Sequence, residues 1–421
     1  MGHVYTAIIL LVTLLLVRLF TNEDRALAKV LFWALVARAG IMILDSYIYP
    51  GLPYLTARDA SRFHSVGLGF AEMGFAELLL PPYPTGSTLY AYWVGMVYSL
   101  FGTTEQTVVK AFNVMAGVFT VYNGYHISRM LWTRNIAIQN AWILALFPLL
   151  VIYSQNFLRE AFFAFFLTLG IKYFMSWYKR GRTHHIFLAI LSISLSSAFH
   201  VGALMSLLAL AVYNIWHFLH SLFTGQAYNA GRTVFSTAVL LAGLFYMNAT
   251  GWGLPSIGGE GALQEFGVEE LIEERGGDRR TGRAAYLVGM TANNPVDVVW
   301  QTPIRAAYFL FSPFPWMMGS IWDLVGLFDA LLYLSIFFGI YKSIPLIRQD
   351  PARVILLLML LGMVLTFAWG VTNYGTGMRH RAKIVTVAVC AAPYFYPFRK
   401  LVFDKARKSW QVVYTSKWFR K

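Results

Sequence analysis

The sequence predicts an all-α polytopic membrane protein, and three observations carry that reading. Only 13% of the 421 residues are charged against 57% hydrophobic, whereas a soluble domain carries about 25% charged residues. Mean hydropathy is +0.55. Apolar runs of roughly 17–25 residues, the length that crosses a bilayer as a helix, recur along the whole chain. The aromatic share of 17% suits interfacial belts and cavity walls. A net charge of +14 would point to nucleic acid in a soluble protein. Here the basic residues fall mainly in short connectors and the tail, the pattern of topology signals, so nucleic acid is not expected as a partner. The one cysteine, Cys390, excludes an intramolecular disulfide and a cysteine-based metal site.

Candidate spans fall near 4–20, 27–47, 104–130, 136–153, 157–178, 186–199, 201–222, 233–249, 324–344, 353–371 and 382–397, about 11 in all. The first has neither a basic n-region nor a small-residue cleavage site and reads as a retained helix. The pair at 186–199 and 201–222 is expected to hinge at Phe199-His200-Val201-Gly202. Lys and Arg set the topology. Arg18, Arg25, Lys29, Arg129, Arg134, Lys179, Arg180, Arg182, Arg232, Lys342, Arg348, Arg353 and the basic tail at 399–421 share one side, expected to be cytoplasmic. The loops at 48–103 and 250–323 and the Arg379-His380-Arg381 segment take the other side of a single transmembrane domain spanning 1–398. That parity requires Ser87–Gly102, a run of 16 residues, to lie re-entrant or juxtamembrane. In the loop at Gly251–Pro303, Glu265, Glu269, Glu270, Glu273 and Glu274 precede Arg275, Arg279, Arg280 and Arg283. This pattern fits a solvated amphipathic helix better than a metal site.

The densest ionisable stretch of the first third runs from Tyr54 to Gly86, broken by Pro81, Pro82 and Pro84. It holds Arg58, Asp59, Arg62, His64, Glu72 and Glu77. Asp59 and Arg62 share a helical face at i,i+3, which suits either a general base beside a cation or a structural salt bridge at a helix start. Arg159-Glu160 sits between two hydrophobic helices. It reads as an anion site with a second acid, or as an anchor with Glu160 at a favourable helix N-terminus. Arg379 and Arg381 are candidate phosphate clamps, because guanidinium pairs bidentately with phosphate oxygens, and Lys383 adds a third cation. Lys110 and Asn113 are weaker candidates for the same pocket. His200 lines a cavity or is a satisfied core histidine. No HExxH, P-loop or dinucleotide glycine motif supports a nucleotide pocket on the cytoplasmic side.

Together these stretches resemble the GT-C superfamily of integral-membrane glycosyltransferases. The likeness is greatest to polyprenyl-phosphate-sugar enzymes such as the protein O-mannosyltransferases and aminoarabinose transferases. In that family an Asp lies in the first long extracytoplasmic loop, followed by juxtamembrane helices and a proline-rich step. Asp59 matches the Asp, and PPYPTGSTLYAYWVGMVYSLFG resembles the step. KAFNVMAGVFTVYNGYHISRML and AWILALFPLLVIYSQNFLREAFF look like the next helices, with Glu160 near the second acidic position. RHRAKIVTVAVCAAPYF resembles the late Arg-containing segment. The likeness covers roughly 27–220 and 365–397. Ala60, rather than a second acid, follows Asp59, and a short basic tail stands where a soluble C-terminal domain would be. LRE, SSAFHVGA and TGMRHR also look like some O-antigen or exopolysaccharide polymerases.

The resemblance implies inverting sugar transfer (hexosyl or pentosyl) at the extracytoplasmic face of the cytoplasmic membrane. The donor would be isoprenoid-phosphate-linked, and the acceptor a lipid-linked glycan, a membrane lipid or a protein. Asp59 would take the acceptor proton, Glu160 would be the second acid, and His64 or Glu72 would orient the acceptor or base. Arg159, Arg379, Arg381, Lys383 and Lys110 would hold the donor phosphate. Arg58, Arg62, His200 and His380 would line the acceptor cavity. No metal ligand set and no firm cofactor is implied, though a Mg or Mn ion is compatible with the family. A polymerase would use the same arginines on a lipid pyrophosphate. A lipid or polysaccharide transporter is the rival class, but repeated halves, frequent in transporters, are not evident.

Overall fold

A computed structural model describes residues 1–50, 58–81, 83, 84, 87–182, 184–206, 211, 213, 215, 216, 219, 283–321, 323–394, 400–404 and 409–413. In chain order the helices are α1 (Gly2–Phe20), α2 (Arg25–Ile43), α3 (Arg58–Ala71), α4 (Ser87–Phe101), α5 (Gln106–Leu131), α6 (Arg134–Leu146) and α7 (Pro148–Gln155). They continue as α8 (Glu160–Arg180), α9 (His184–Phe199), α10 (Pro295–Phe311), α11 (Asp323–Ile347), α12 (Pro351–Gly370) and α13 (Tyr374–Cys390). A π-turn at Leu44–Ile48 extends α2. An antiparallel ribbon of β1 (Lys400–Asp404) and β2 (Ser409–Val413) sits in the tail, with Lys400 opposite Val413. Apart from this ribbon the described residues are all-α, as expected, and its KLVFD and SWQVV segments have the β-branched and aromatic content that favours strands.

Five helices are long and apolar enough to cross a membrane: α1, the α2 extension to Ile48, α8, α11 and α12. The pair α6–α7, bent by 58°, makes a sixth if taken as one broken span. The described residues therefore give five or six candidate spans, not about 11. The difference has several sources. The expected run at 233–249 and most of 201–222 lie outside the described residues. α5 is a long helix, but it carries Lys110, Asn113, Asn123 and His126. α13 has 17 residues and contains Arg379, Arg381 and Lys383. α4, with 15 residues, is shorter than the roughly 20 that span a bilayer. It forms a tight hairpin with α3. A Cβ on Gly95 would come within 2.5 Å of Phe70 Cβ, and one on Gly67 within 2.5 Å of Val94 Cγ1, so neither position has room for a side chain.

The bend at α6–α7 has a cause in the sequence. Pro148 has no N–H to give to the Leu144 carbonyl and pushes Phe147 to an extended ψ of 117°. The carbonyls left over accept from a buried cation: Arg38 donates to Leu144 O (3.2 Å) and Ala145 O (2.9 Å), and to Ala34 O of its own helix (3.1 Å). α1 shows membrane-type amphipathicity, with Thr6, Ile9, Thr13 and Val17 buried and Val4, Ile8, Leu11, Leu15 and Leu19 exposed. α5 sits at the centre, packed on α1, α2, α6, α7, α8 and α13. α9 ends at Phe199 and a short turn at Val201–Ala203 follows, where the hinge was expected.

The expected acidic helix with Glu265, Glu269, Glu270, Glu273 and Glu274, and Arg275, Arg279 and Arg280 after it, lies outside the described residues. From Arg283 onward the chain is tied to α13. Tyr286 N–H donates to Thr372 O (3.1 Å) and Tyr374 N–H to Ala284 O (3.0 Å). Asp323 gathers this junction, accepting from Arg283 (2.5 and 3.1 Å), Gly319 N (2.9 Å), Ser320 N (2.9 Å) and the Tyr374 hydroxyl (3.1 Å). Asn373 caps α13 by accepting from Thr376 N (2.8 Å). These bonds fix the helix start from which Arg379 projects.

Candidate active site

Three segments far apart in sequence meet around Arg379. α3 brings Asp59 in its first turn, α8 opens on Glu160, and α13 contributes Arg379, His380 and Lys383. Arg379 Nε donates to Glu160 Oε1 at 2.5 Å, and its Nη1 donates to Asp59 Oδ2. Lys383 Nζ stands 3.5 Å from Glu160 Oε1 and 3.0 Å from His380 Nδ1. The Glu160 side chain is 2% exposed and that of Asp59 49%. The guanidinium thus bridges one buried and one half-open carboxylate.

The turn that delivers Arg159 and Glu160 is held from α5. Asn113 Nδ2 donates to Asn156 O, to Leu158 O at 3.1 Å, and to the Tyr90 hydroxyl at 2.9 Å. Arg159 is the N-cap of α8 and interacts with the charges of Glu160, Arg379 and Asp59. Among the described residues several buried polar atoms here have no hydrogen-bond partner: Arg159 Nε, Glu160 Oε2, Asn156 Nδ2, and both amide atoms of Gln155. Such groups are costly to leave unpaired, and they supply donors and acceptors for a polar ligand. Among the described residues, the carboxylates set against Arg159, Arg379 and Lys383 are Asp59 and Glu160, so this group has one positive charge in excess. One wall is aromatic. The His200 ring stands edge-on to His380 (5.0 Å between ring centroids) and tilted against Phe367 (5.3 Å), and Lys383 lies over Phe163 (5.5 Å).

The other candidate residues fall elsewhere. Arg381, two residues from Arg379, is wholly buried on another side of α13. It donates to Leu310 O (2.9 Å), Ser312 O (2.6 Å) and Phe309 O (3.4 Å). Its Nη2 also stands 2.7 Å from Asp329 Oδ2, at an angle outside that of a hydrogen bond. Lys110 is buried against Asp45 (2.7 Å) and Ser46 (3.1 Å) in the π-turn. Among the described residues Asp59 forms its ion pair with Arg379 rather than with Arg62, which is exposed. His64 is half-buried, its Nδ1 2.7 Å from the Tyr98 hydroxyl and its ring 6.0 Å from Phe157. Partial burial lowers the pKa of its imidazole. Glu72 is exposed beyond the far end of α3, thirteen residues from Asp59 and so about 20 Å along the helix. The Arg58 side chain lies outside the described residues.

Sequence reasoning missed Asp329, Asp45 and Tyr90. The first two had a signal, since a carboxylate inside or at the end of an apolar run is expensive and implies a cation. Among the described residues no group of three or more His, Cys, Asp and Glu side chains is placed to hold a metal ion. Arg379 fills the space between Asp59 and Glu160 where a Mg or Mn ion would have to sit, so these residues do not fit a metal as arranged.

No family model and no curated protein matches the chain. Among solved structures it is similar to the oligosaccharyltransferase of Archaeoglobus fulgidus, crystallised tethered with an acceptor peptide containing the NVT sequon via a disulfide bond. The TM-score is 0.48 and the identity 13%, over 88% of this chain and 49% of that one. The chain thus spans about half the length of that protein.

Proposed function

We propose that the Arg379 cluster binds the phosphate of an isoprenoid-linked sugar, and that the protein is an inverting membrane glycosyltransferase serving an extracytoplasmic acceptor. The observation that carries the reading is the excess positive charge at a partly open site that also holds a solvent-facing carboxylate. The residues of the GT-C resemblance support it, because Asp59, Glu160 and Arg379 come from its three separate stretches and meet in one place.

In this reading the donor phosphate competes with Asp59 for the outer edge of Arg379, while buried Glu160 keeps hold of Nε. Asp59, displaced, accepts the proton of the acceptor hydroxyl. The acceptor oxygen forms its bond to the anomeric carbon as the bond from that carbon to the phosphate oxygen breaks. The electron pair leaves with the phosphate, and Arg379, Lys383 and Arg159 stabilise its charge. Arg381 and Lys110 are left out of the clamp, because each already has buried partners. His64 and Glu72 are assigned no proton transfer, since one is turned to Tyr98 and the other is remote. His200 and His380 line the acceptor side.

The test is sugar transfer from labelled polyprenyl-phosphate and polyprenyl-pyrophosphate donors in reconstituted vesicles, comparing wild type with Asp59→Asn. The expected result is transfer from the monophosphate donor that falls at least ~10²-fold in the variant, with folding intact. Transfer only from the pyrophosphate donor would instead identify a polymerase of lipid-linked repeat units. Full activity of Asp59→Asn would remove Asp59 as base, and no transfer from either donor would favour the transporter.

A further inference from the structure

The opposite end of the α5–α8 pair holds a second cation-rich site. α5 and α8 run parallel, with Asn123 beside Thr168 and Met130 beside Lys179. Glu160 therefore marks one end, and the last turns of α8 lie about 24 Å away at 1.5 Å per residue. There α5, α8 and the start of α9 enclose a cavity of about 480 Å³, whose lining includes Arg129, Lys172, Lys179, Arg180, His126 and His185. Among the described residues no carboxylate lines it. The acids near it are engaged: Asp24 accepts from Arg134 (2.7 Å) and Tyr125 (2.9 Å), and Asp350 pairs with Lys179 (3.1 Å) and caps α12. Among the described residues no ion pair is formed by Arg129, Lys172 or Arg180.

Helix ends explain part of this charge, since cations near the C-termini of α5 and α8 answer the carbonyls there. That does not explain Lys172, eight residues before the end of α8. Its ammonium instead lies over Tyr122 (5.3 Å) and Tyr173 (5.0 Å) at the cavity wall. A second observation is independent of charge. His126 Nε2 and His185 Nδ1 are both buried without a hydrogen-bond partner among the described residues, and both rings line this cavity. Four cations, two unsatisfied imidazole nitrogens and the Ser176 side chain, around a volume in the range of small-ligand sites, match an anion with several acceptor oxygens.

We propose that this cavity binds a phosphate group, carried either by an anionic lipid headgroup or by a soluble phosphate compound. Basic pockets between membrane helices suit such headgroups, and guanidinium and ammonium donors suit phosphate oxygens. The proposal is independent of what happens at Asp59.

The experiment uses the full chain in a neutral detergent and follows its Tm during titration with phosphatidic acid in mixed micelles. Inorganic phosphate at matched ionic strength forms the second arm, and phosphatidylcholine is the uncharged-headgroup control. We expect a saturable rise in Tm with a phosphate-bearing probe and none with phosphatidylcholine. The apparent affinity should weaken about tenfold in Lys172→Gln. Arg180→Gln, at an exposed side chain, should weaken it similarly and serves if Lys172→Gln does not fold. A rise with phosphatidic acid alone assigns the lipid, and a rise with inorganic phosphate assigns the soluble compound. No rise with either anion, or the same midpoint in wild type and the variants that fold, would overturn the site.

Discussion

Arg379 and Arg381 lie two residues apart on one helix, yet their surroundings differ in kind. Arg379 joins two carboxylates from two other helices, one of them 49% exposed, in a cluster with a surplus cation and several unpaired polar atoms. Arg381 is fully enclosed by one buried carboxylate and three main-chain carbonyls. Its carbonyl partners explain why it is there. Phe309 O would accept from residue 313 if α10 continued, but Pro313 has no N–H. Arg38 repeats the pattern at Leu144 and Pro148. Two buried arginines thus close proline-broken helix ends, and the third stands at an open junction. The residue type alone does not separate these roles. The partners do.

The sharpest way to break the comparison is to remove Arg381. Arg381→Met leaves Asp329 charged or forced neutral in the interior and orphans three carbonyls, so stability should fall by about 3–5 kcal/mol. Removing both partners in Arg381→Met with Asp329→Leu should recover much of that loss, as read from thermal denaturation in detergent. A variant that keeps its Tm but loses sugar transfer would place Arg381 in the site after all. Next in size is Arg379→Gln. Here the fold should persist, because Asp59 is already hydrated and Glu160 retains Lys383. Transfer from the phosphate donor should drop about 10²–10³-fold, the usual cost of a lost oxyanion donor. A collapsed Tm with residual transfer would make Arg379 structural, and the distinction would fail.

Much of this layout was legible in the sequence. The apolar runs matched most of the described helices, and the ionisable stretches at Asp59, Arg159-Glu160 and Arg379 are the three segments that meet in one cluster. What was not legible is which side of α13 each arginine takes. A run of 17 residues with three cations has no apolar stripe clear enough to orient it. The Asp59–Arg62 spacing was a local rule that lost to a tertiary one, since Arg379 offered a less exposed partner. The proline-to-arginine relation was readable in principle. It needed the question of which carbonyl each proline orphans, and then of which buried cation was near.

Arg38 sharpens the comparison at smaller scale, because it has carbonyl partners and, among the described residues, no carboxylate. Arg38→Met should therefore cost only about 1–3 kcal/mol, the penalty for unsatisfied carbonyls, with transfer rate per folded molecule unchanged. Should it match Arg381→Met, the buried carboxylate would not be what sets the larger loss.

The smallest effect belongs to a partly buried counterpart, Asp24, which caps α2 by accepting from Leu27 N (3.1 Å) and also holds Arg134 and Tyr125. Partial burial alone would raise its pKa. The hydrogen bonds from Leu27, Arg134 and Tyr125 and the charge of Arg134 outweigh that and hold it below the usual Asp value. A depressed pKa means that the ionised form stabilises the fold above the unfolded-state value of about 3.9, and that this share is lost as pH falls through the folded value. Asp24→Asn keeps the cap, since Asn and Asp cap equally well, and removes only the charge. Its Tm deficit at pH 7 should correspond to less than about 1 kcal/mol, should begin to shrink only below the unfolded-state value of about 3.9, and should vanish once the pH is below the lower folded value. Asp24→Ala removes the cap as well and should cost about 1 kcal/mol more, a difference that persists where the charge no longer matters. If the two variants behaved alike at pH 7, the cap would contribute nothing. Partnership with the backbone would then matter less at this open end than it does around Arg38 and Arg381.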